Sequence, residues 1–179
     1  MVILESERVM LRLWRESDAE ALYKYASDAE VGAAAGWPPH RSVEESAEVI
    51  RTFFSAPETF AVVLKTTGEP VGCIGLVPSD SVHYLDIKDG EREVGYWIGR
   101  SYWGCGLIPE ALALLSDYCR KGLGLNRLWI ITYAGNTRSQ RVAIKRGFRF
   151  VKDFKDPDGW ESKLFELPLQ DDDVPSSCL

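Results

Sequence analysis

Apolar positions along the chain recur with two different periods, and these periods predict the order of strands and helices. Alternating or continuous apolar runs that end at turn-forming residues predict seven strands: Val9–Trp14, Phe60–Lys65, Val71–Val77, Glu93–Ile98, Arg127–Tyr133, Phe148–Phe154 and Ser162–Leu167. Apolar residues spaced three and four apart predict four helices, which begin near Asp18, Ser42, Ile108 and Asn136. The predicted order β-α-α-β-β-β-α-β-α-β-β is an α/β arrangement, with a right-handed strand-helix-strand crossover between about residues 93 and 133.

Local signals set the ends of these elements. Ser42 and Glu45 have the spacing of a capping box, and Asn136 can cap the last helix, which should end at Gly147. Between the first two helices lies the segment GAAAGWPPHRS, whose glycines and paired prolines predict an irregular loop.

Length and composition narrow the class of protein. A chain of 179 residues with 45% apolar and 27% charged residues is typical of one globular domain. We expect this domain at residues 1–168, followed by an acidic tail at 169–179 that lacks apolar periodicity and frays. No apolar run is long enough to span a bilayer, and charges interrupt the N-terminal segment where a signal peptide would be apolar. The expected location is therefore the cytoplasm, without a membrane partner.

Charge and metal-ligating residues exclude further classes. The net charge of −6 argues against nucleic acid and weakly favours a cationic or amine-bearing partner. Four cysteines without C-x-x-C spacing and only two histidines predict neither a metal site nor a disulfide framework. Cys105 has no histidine near it in sequence, which favours a small turn residue over a nucleophile.

The segment IGRSYWGCGLIPEAL joins a strand end, a glycine-rich turn and a helix start. Gly104 and Gly106 allow positive φ and close approach of a ligand, so N–H groups of the turn and of the first helical turn can converge on an anion such as pyrophosphate. Pro109 suits the first helical turn. Glu110 opposes an anion, although it suits the helix dipole. Taken alone, the turn is equally compatible with a tight structural connection.

Several motifs surround this turn in a fixed order. They are Glu93–Trp97 (E-hydrophobic-G-Y-W), Tyr102–Gly106 (Y-W-G-x-G) with Glu110–Ala111, Asn136 with Ser139, and Lys145 with Gly147–Phe148. In this order they resemble the cofactor-binding half of the GNAT superfamily, most closely its RimJ/RimL-type branch of ribosomal-protein N-terminal acetyltransferases. The resemblance covers roughly residues 7–168. It implies a single-domain α/β (α+β) fold: a mixed, mostly antiparallel sheet of about seven strands, flanked by about four helices, around a β-α-β acyl-CoA-binding unit.

The resemblance also implies a cofactor site for acetyl-CoA, with no metal. The implied cofactor-binding residues are Trp97, Ile98, Trp103, Gly104, Cys105, Gly106, Leu107, Ile108, Asn136 and Ser139. Backbone groups of Trp97 and Ile98 would pair with the pantetheine amides as an added strand does, and the N–H groups across Gly104–Ile108 would hold the pyrophosphate. Asn136 would bind the pantetheine chain. Its other role, a plain N-cap, is compatible with this one.

Two residues are implied in proton transfer. Glu93 matches the strand carboxylate of the family and would accept the proton of the amine, unless it is merely a solvated residue of the strand. Ser139 matches the candidate acid for the leaving thiolate, unless it only satisfies the helix end. The tyrosine that many relatives place seven residues after the asparagine is Ala143 here, which leaves Ser139 or a water as the acid.

The acceptor site is expected at three segments: the irregular one around Trp37–His40, the hairpin tip near Asp80–Asp89, and the closing hairpin. Tryptophans 37, 97 and 160 could form its walls, and aspartates 86, 89, 153, 156 and 158 could attract a cation, with core and turn roles as the alternatives.

The implied reaction is direct attack of a primary amine, from a protein N-terminus or a small molecule, on the thioester of acetyl-CoA. The alternatives are a non-catalytic acyl-CoA sensor and an α/β module that binds another phosphate ligand. The sequence leaves open both the acceptor and the choice between monomer and homodimer.

Overall fold

In the computed structural model, which describes residues 2–78 and 86–169, one sheet is covered by helices on both faces. The strands are β1 Leu4–Glu5, β2 Val9–Leu13, β3 Thr59–Leu64, β4 Pro70–Leu76, β5 Glu91–Ile98, β6 Arg127–Tyr133, β7 Arg149–Lys155 and β8 Glu161–Pro168. The α-helices are α1 Ala19–Ala26, α2 Ala29–Ala35, α3 Val43–Thr52, α4 Leu107–Lys121 and α5 Thr137–Lys145.

The strand order across the sheet is β1-β2-β3-β4-β5-β6-β8-β7. Neighbouring strands are antiparallel except β5 and β6, which are parallel and are joined through α4. The mixed, mostly antiparallel sheet with one β-α-β unit is therefore confirmed. The described part of the chain contains one strand and one helix more than predicted, namely β1 and α2.

The predicted irregular segment, residues 32–42, is irregular only from Gly36 onwards; the prediction was wrong for residues 32–35, which belong to helix α2. The Asp28 side chain caps this helix by accepting the N–H two residues further on, at 2.9 Å. Gly36 ends the helix with φ of 86°, the left-handed conformation that glycine favours there. Gly32 lies inside the helix because the chain folds back closely: a Cβ at this position would lie 2.5 Å from the Trp37 carbonyl oxygen.

Other capping predictions are confirmed. Ser42 accepts the N–H of Glu45 at 3.1 Å at the start of α3. Asn136 accepts the N–H of Ser139 at 3.2 Å at the start of α5. Both side chains satisfy N–H groups that a helix leaves unpaired at its first turn.

Alternation along the central strands divides the core into two layers. Phe60 belongs to the layer that includes α4 and Ala143 of α5, whereas the next residue, Ala61, belongs to the layer of α1 and α3. Leu112 and Leu115 of α4 are fully buried in the first layer, and each contributes roughly 1.5–3 kcal/mol by burial. Helices thus hold the sheet from both sides.

Two of the predicted segments lie wholly or partly outside the described residues. They are residues 80–85 of the expected acceptor hairpin tip and residues 170–179 of the expected acidic tail. Leu169, the first residue assigned to the tail, is buried and donates its N–H to the Asn126 carbonyl at 2.8 Å.

Candidate active site

The two parallel strands are paired at only one end. Their register ends at Glu93 opposite Trp129, although β5 stays paired with β4 as far as Ile98 and β6 with β8 as far as Tyr133. The strands part beyond Glu93. We call the opening between residues 94–98 of β5 and 130–133 of β6 the wedge. The residues on both sides of the wedge line a cavity of about 740 Å³.

The β5 edge that faces the wedge has main-chain groups free for a ligand. At the end of the β4–β5 ladder, the N–H of Gly99 donates to a β4 carbonyl at 2.8 Å. Because such bonds fall on every second residue of an antiparallel ladder, the main chain of Trp97 faces β4, while that of Tyr96 and Ile98 faces the wedge. The Ile98 carbonyl accepts the indole N–H of Trp103 at 3.0 Å. The groups open to a bound chain are therefore those of Tyr96 and the N–H of Ile98, and Trp97 lines the cavity with its side chain.

The glycine turn presents four unpaired N–H groups to the same cavity. No described group accepts a hydrogen bond from the N–H of Gly104, Gly106, Leu107 or Ile108, all of which line the cavity. Gly104 and Gly106 have φ of 78° and 79°, so both use the left-handed conformation. By contrast, the N–H groups of Trp103 and Cys105 bond back to the preceding short turn at 3.1 and 3.2 Å. Four of the six predicted turn residues thus have N–H groups that could bind an anion.

Glu93 is buried in the cavity wall and is not a solvated strand residue. Its side chain is on the same strand face as Trp97, and the residue is 9% exposed. Its Oε2 has no hydrogen-bond partner among the described residues. Burial disfavours the charged carboxylate and raises the pKa of Glu93 from 4.5 to about 7. A carboxyl group with that pKa can both take up and release a proton near neutral pH.

The start of α5 forms the opposite side of the cavity. The Asn136 amide donates to the Ala34 carbonyl of α2 at 3.2 Å, in addition to its capping bond. The Tyr96 hydroxyl lies 2.9 Å from the Ser139 hydroxyl and 3.2 Å from the Ser139 carbonyl oxygen. Burial raises the pKa of Tyr96 to about 12, so its hydroxyl stays protonated at neutral pH. The sequence prediction assigned no role to Tyr96, although it is the tyrosine of the E-hydrophobic-G-Y-W motif.

The predicted tryptophans lie along two adjoining spaces. Trp97 lines the first cavity, and its ring centroid is 5.8 Å from that of Trp37. Trp37 and Trp160 line a second, more open groove of about 990 Å³, which shares Tyr133 and Asn136 with the first. Trp160 is 64% exposed and lies 6.1 Å from the Tyr133 ring. The described part of the expected acceptor region therefore adjoins the cavity.

The side chains of two aspartates of the closing hairpin have structural partners. Asp153 forms an ion pair with Lys163 across β7 and β8. Asp156 accepts the N–H groups of Asp158 and Trp160 at 3.1 and 2.8 Å, which is a turn role. Only Asp156 of this group also lines the first cavity within the described chain.

Two further properties concern the described ranges 2–78 and 86–169. No three side chains of His, Cys, Asp or Glu are grouped there as a metal ion would require. No helix in these ranges has the length and apolar character needed to cross a membrane.

Cys105 is exposed, whereas Cys73 and Cys119 are buried.

Comparison with known proteins identifies the chain as an acetyltransferase. The sequence profile described as "Acetyltransferase (GNAT) domain" matches residues 8–149, and the chain belongs to that family. It is 29% identical over 172 residues to an uncharacterized N-acetyltransferase of Bacillus licheniformis, with 93% of each chain covered. It is 35% identical over 69 residues to the ribosomal-protein-serine acetyltransferase of Escherichia coli, with 38% of each covered.

Solved structures share the fold. A GNAT-family acetyltransferase from Bacillus anthracis superposes with a TM-score of 0.82 at 23% identity, and covers 94% of this chain and 99% of its own. The predicted GNAT superfamily and the predicted acetyltransferase class are confirmed. The alternatives of a non-catalytic sensor and of a module for another phosphate ligand are not retained.

Proposed function

We propose that this chain is an acetyl-CoA-dependent N-acetyltransferase in which a primary amine attacks the thioester directly. The main support is the cavity at the wedge, which is lined by free main-chain groups along β5 and by four free N–H groups of the glycine turn. These two features suit the two halves of one ligand: an amide-bearing arm and a pyrophosphate. Bound acetyl-CoA supplies the activated acetyl group, and the residues below position it and move protons.

Tyr96 and Ile98 hold the pantetheine amides through their main-chain groups, as a sheet holds an added strand. Trp97 Nε1 is buried without a partner among the described residues, which fits a wall that a ligand completes. Asn136 has two amide hydrogens, and its bond to Ala34 leaves one for the same arm.

The glycine turn holds the pyrophosphate through the N–H groups of Gly104, Gly106, Leu107 and Ile108. Such groups at a helix N-terminus favour anions through hydrogen bonds and through the helix dipole. Trp103 and Cys105 contribute the shape of the turn instead, because their N–H groups are already bonded.

Glu93 is the general base of the proposed reaction. A pKa of about 7 leaves a large fraction of Glu93 ionised at neutral pH and ready to accept a proton, directly or through a water. Burial also strengthens its interaction with a cationic ammonium group that enters the cavity.

Ser139, assisted by Tyr96, is the proposed acid for the leaving thiolate. The two hydroxyls are 2.9 Å apart and lie on the α5 side of the cavity, away from Glu93. Either hydroxyl can donate a proton while the other donates a hydrogen bond to it. Ala143, which replaces the tyrosine of many relatives, is fully buried in the core.

The acceptor is proposed to be a primary amine that enters along the groove between Trp37 and Trp160. The partial similarity to the ribosomal-protein-serine acetyltransferase supports the RimJ/RimL-type branch and a protein N-terminus as one acceptor class. Small-molecule amines are the other.

Three sequence predictions stay predictions. They are the domain boundary at residue 168, the cytoplasmic location, and a monomeric or homodimeric state without nucleic-acid or membrane partners. The first rests on the loss of apolar periodicity, the location and the lack of a membrane partner on the short apolar runs and the charged N-terminal segment, and the lack of a nucleic-acid partner on the net charge. No residue favours the monomer over the homodimer.

Calorimetric titration with acetyl-CoA, CoA, ATP and NAD tests the cofactor, and thiol release with N-terminal peptides and small amines tests the reaction. We expect binding of acetyl-CoA and CoA, no binding of ATP or NAD, and thiol release with at least one amine. Absence of binding to acetyl-CoA would refute the proposal.

A further inference from the structure

We propose that Arg8 is a positioning residue that orients the pyrophosphate-binding N–H groups of the glycine turn; this inference rests on the function proposed above. Arg8 follows β1 and is far from the turn in sequence. Its Nη1 donates to the Cys105 carbonyl at 3.0 Å, and its Nη2 donates to the Gly106 carbonyl at 3.3 Å. One guanidinium group thus holds two successive carbonyls of the turn.

Each of these carbonyls belongs to a peptide unit whose N–H is unpaired. The Cys105 carbonyl shares a planar peptide unit with the N–H of Gly106, and the Gly106 carbonyl shares one with the N–H of Leu107. In a trans peptide unit the C=O and N–H bonds point in opposite directions. By holding the two carbonyls on one side, Arg8 therefore directs the two N–H groups to the other side, where the cavity lies.

The Cys105 carbonyl depends on this restraint most, because Arg8 is its one described partner and Pro109, four residues further on, has no N–H to donate. The Gly106 carbonyl also accepts the Glu110 N–H at 3.3 Å, as the first bond of α4. A Cβ at Gly104 would have no heavy atom within 4 Å, and at Gly106 the nearest atom would be Arg8 Nη2 itself, at 3.5 Å. Glycine loses more conformational freedom on ordering than any other residue. Without the guanidinium group, the peptide unit between Cys105 and Gly106 could rotate and turn its N–H away from a ligand, and the next unit would keep only its helical bond to Glu110.

Glu110 in turn holds Arg8. Its carboxylate accepts the Ser6 hydroxyl at 2.6 Å, the Arg8 N–H at 2.9 Å and Arg8 Nε at 2.7 Å. Burial tends to raise the pKa of Glu110, but these hydrogen bonds outweigh it and hold the pKa below its usual value. The negative charge that seemed unfavourable beside an anion is therefore paired with Arg8, on the carbonyl side of the turn.

A purely structural role is the competing explanation, in which the Arg8–Glu110 pair only ties the N-terminal segment to α4. The chain offers a matched control for it. Lys65 ties the same segment to β3 by bonding Glu5 at 3.1 Å and the Ser6 carbonyl at 3.2 Å, without any bond to the turn. A lysine at position 8 is a second test, because it keeps the positive charge but lacks the planar fork that spans two carbonyls.

The experiment measures the dissociation constants of CoA and of pantetheine, which lacks the phosphates, for the wild type and for Arg8→Ala, Arg8→Lys and Lys65→Ala. We expect both Arg8 variants to bind CoA roughly tenfold or more weakly, since charge-assisted hydrogen bonds are lost. Their affinity for pantetheine should not change, and Lys65→Ala should bind both ligands like the wild type. Arg8→Lys keeps the test valid if Arg8→Ala does not fold.

Three outcomes would overturn the proposed role of Arg8: wild-type CoA affinity in Arg8→Lys, equal weakening for both ligands, or the same loss in Lys65→Ala. Failure of the proposed function is distinguishable from these, since the wild type itself would then bind no CoA, and the role of Arg8 would fall with it.

Discussion

Replacing Glu93 by glutamine should remove a pH dependence of stability that the wild type has because of this one buried carboxyl group. The pKa of Glu93 is raised in the folded state, from 4.5 to about 7, by burial. Between these two values the folded chain binds more protons than the unfolded chain, so stability falls as pH rises through this window. About one pH unit above the folded-state pKa, nearly the whole effect is present.

The magnitude follows from the size of the pKa change. At 1.36 kcal/mol for each tenfold change in the ionisation constant, the full effect is about 3 kcal/mol. Between pH 5 and pH 8.5 the wild type should lose about 2.5 kcal/mol of unfolding free energy through Glu93. Glu93→Gln has no ionisation at this position and should not lose it. Other titrating groups contribute equally to both chains and cancel in the comparison.

Urea unfolding of both chains at several pH values between 5 and 8.5 measures this difference. The Glu93→Gln variant can have a lower unfolding free energy than the wild type at every pH, because the amide N–H groups of the glutamine are buried. This difference in free energy does not depend on pH. Glu93→Leu serves as a second variant, with a different offset and the same expected loss of slope. Parallel stability profiles for the wild type and both variants would show that Glu93 has no raised pKa, and the argument for a general base of that pKa would fail.

Three other predictions concern the site. Ser139→Ala and Tyr96→Phe should each lower kcat in steady-state assays with the best amine. The loss should be about 10²-fold or more for the hydroxyl that is the acid. Wild-type kcat in both variants would exclude the pair as the acid. Asn136→Asp should keep the helix cap but lose the amide donors, both the one bonded to the Ala34 carbonyl and the one proposed for the pantetheine arm, so calorimetry should show weaker CoA binding. Asn136→Ala should lose the cap as well, at a further cost of about 1 kcal/mol of stability. Unchanged CoA affinity in both would remove Asn136 from the site. Gly104→Ala and Gly68→Ala should each lose about 1–2 kcal/mol of unfolding free energy, since both glycines have positive φ and an open environment. Only Gly104→Ala should weaken CoA binding. Equal CoA affinities in the two variants would make the turn purely structural.

The sequence predicted elements well where one pattern was long and uninterrupted. The α4 stripe and the β5-turn-α4-β6 order were of this kind, since burial in one core sets an apolar face on each of these elements. Helix α2 was missed because its glycines suggested a loop. Gly32 is required there by the close approach of Trp37, a contact that no local pattern indicates.

The site shows the same division between local and distant contacts. The glycine turn and the Asn136 cap depend on neighbours in sequence and were predicted. The hydrogen bond between Tyr96 and Ser139 joins residues 43 positions apart, and the bond from Arg8 to Cys105 joins residues 97 positions apart. Only the folded sheet brings such pairs together, so a single sequence gives no signal for them. The burial that raises the pKa of Glu93 is a property of the assembled cavity for the same reason.

In the proposed reaction, the wedge allows a base and an acid to act in one step without an acyl-enzyme. Along a strand, successive side chains point to opposite faces, so Glu93 and Tyr96 lie on opposite faces of β5. Both nevertheless line one cavity, because β5 and β6 separate beyond Glu93 and open both faces of the strand. We infer that an acyl group held along the β5 edge has the base on the Trp97 side, where the acceptor groove adjoins, and the acid on the α5 side. The amine then approaches from one face while the leaving sulfur is protonated from the other, and no residue has to carry the acetyl group between them.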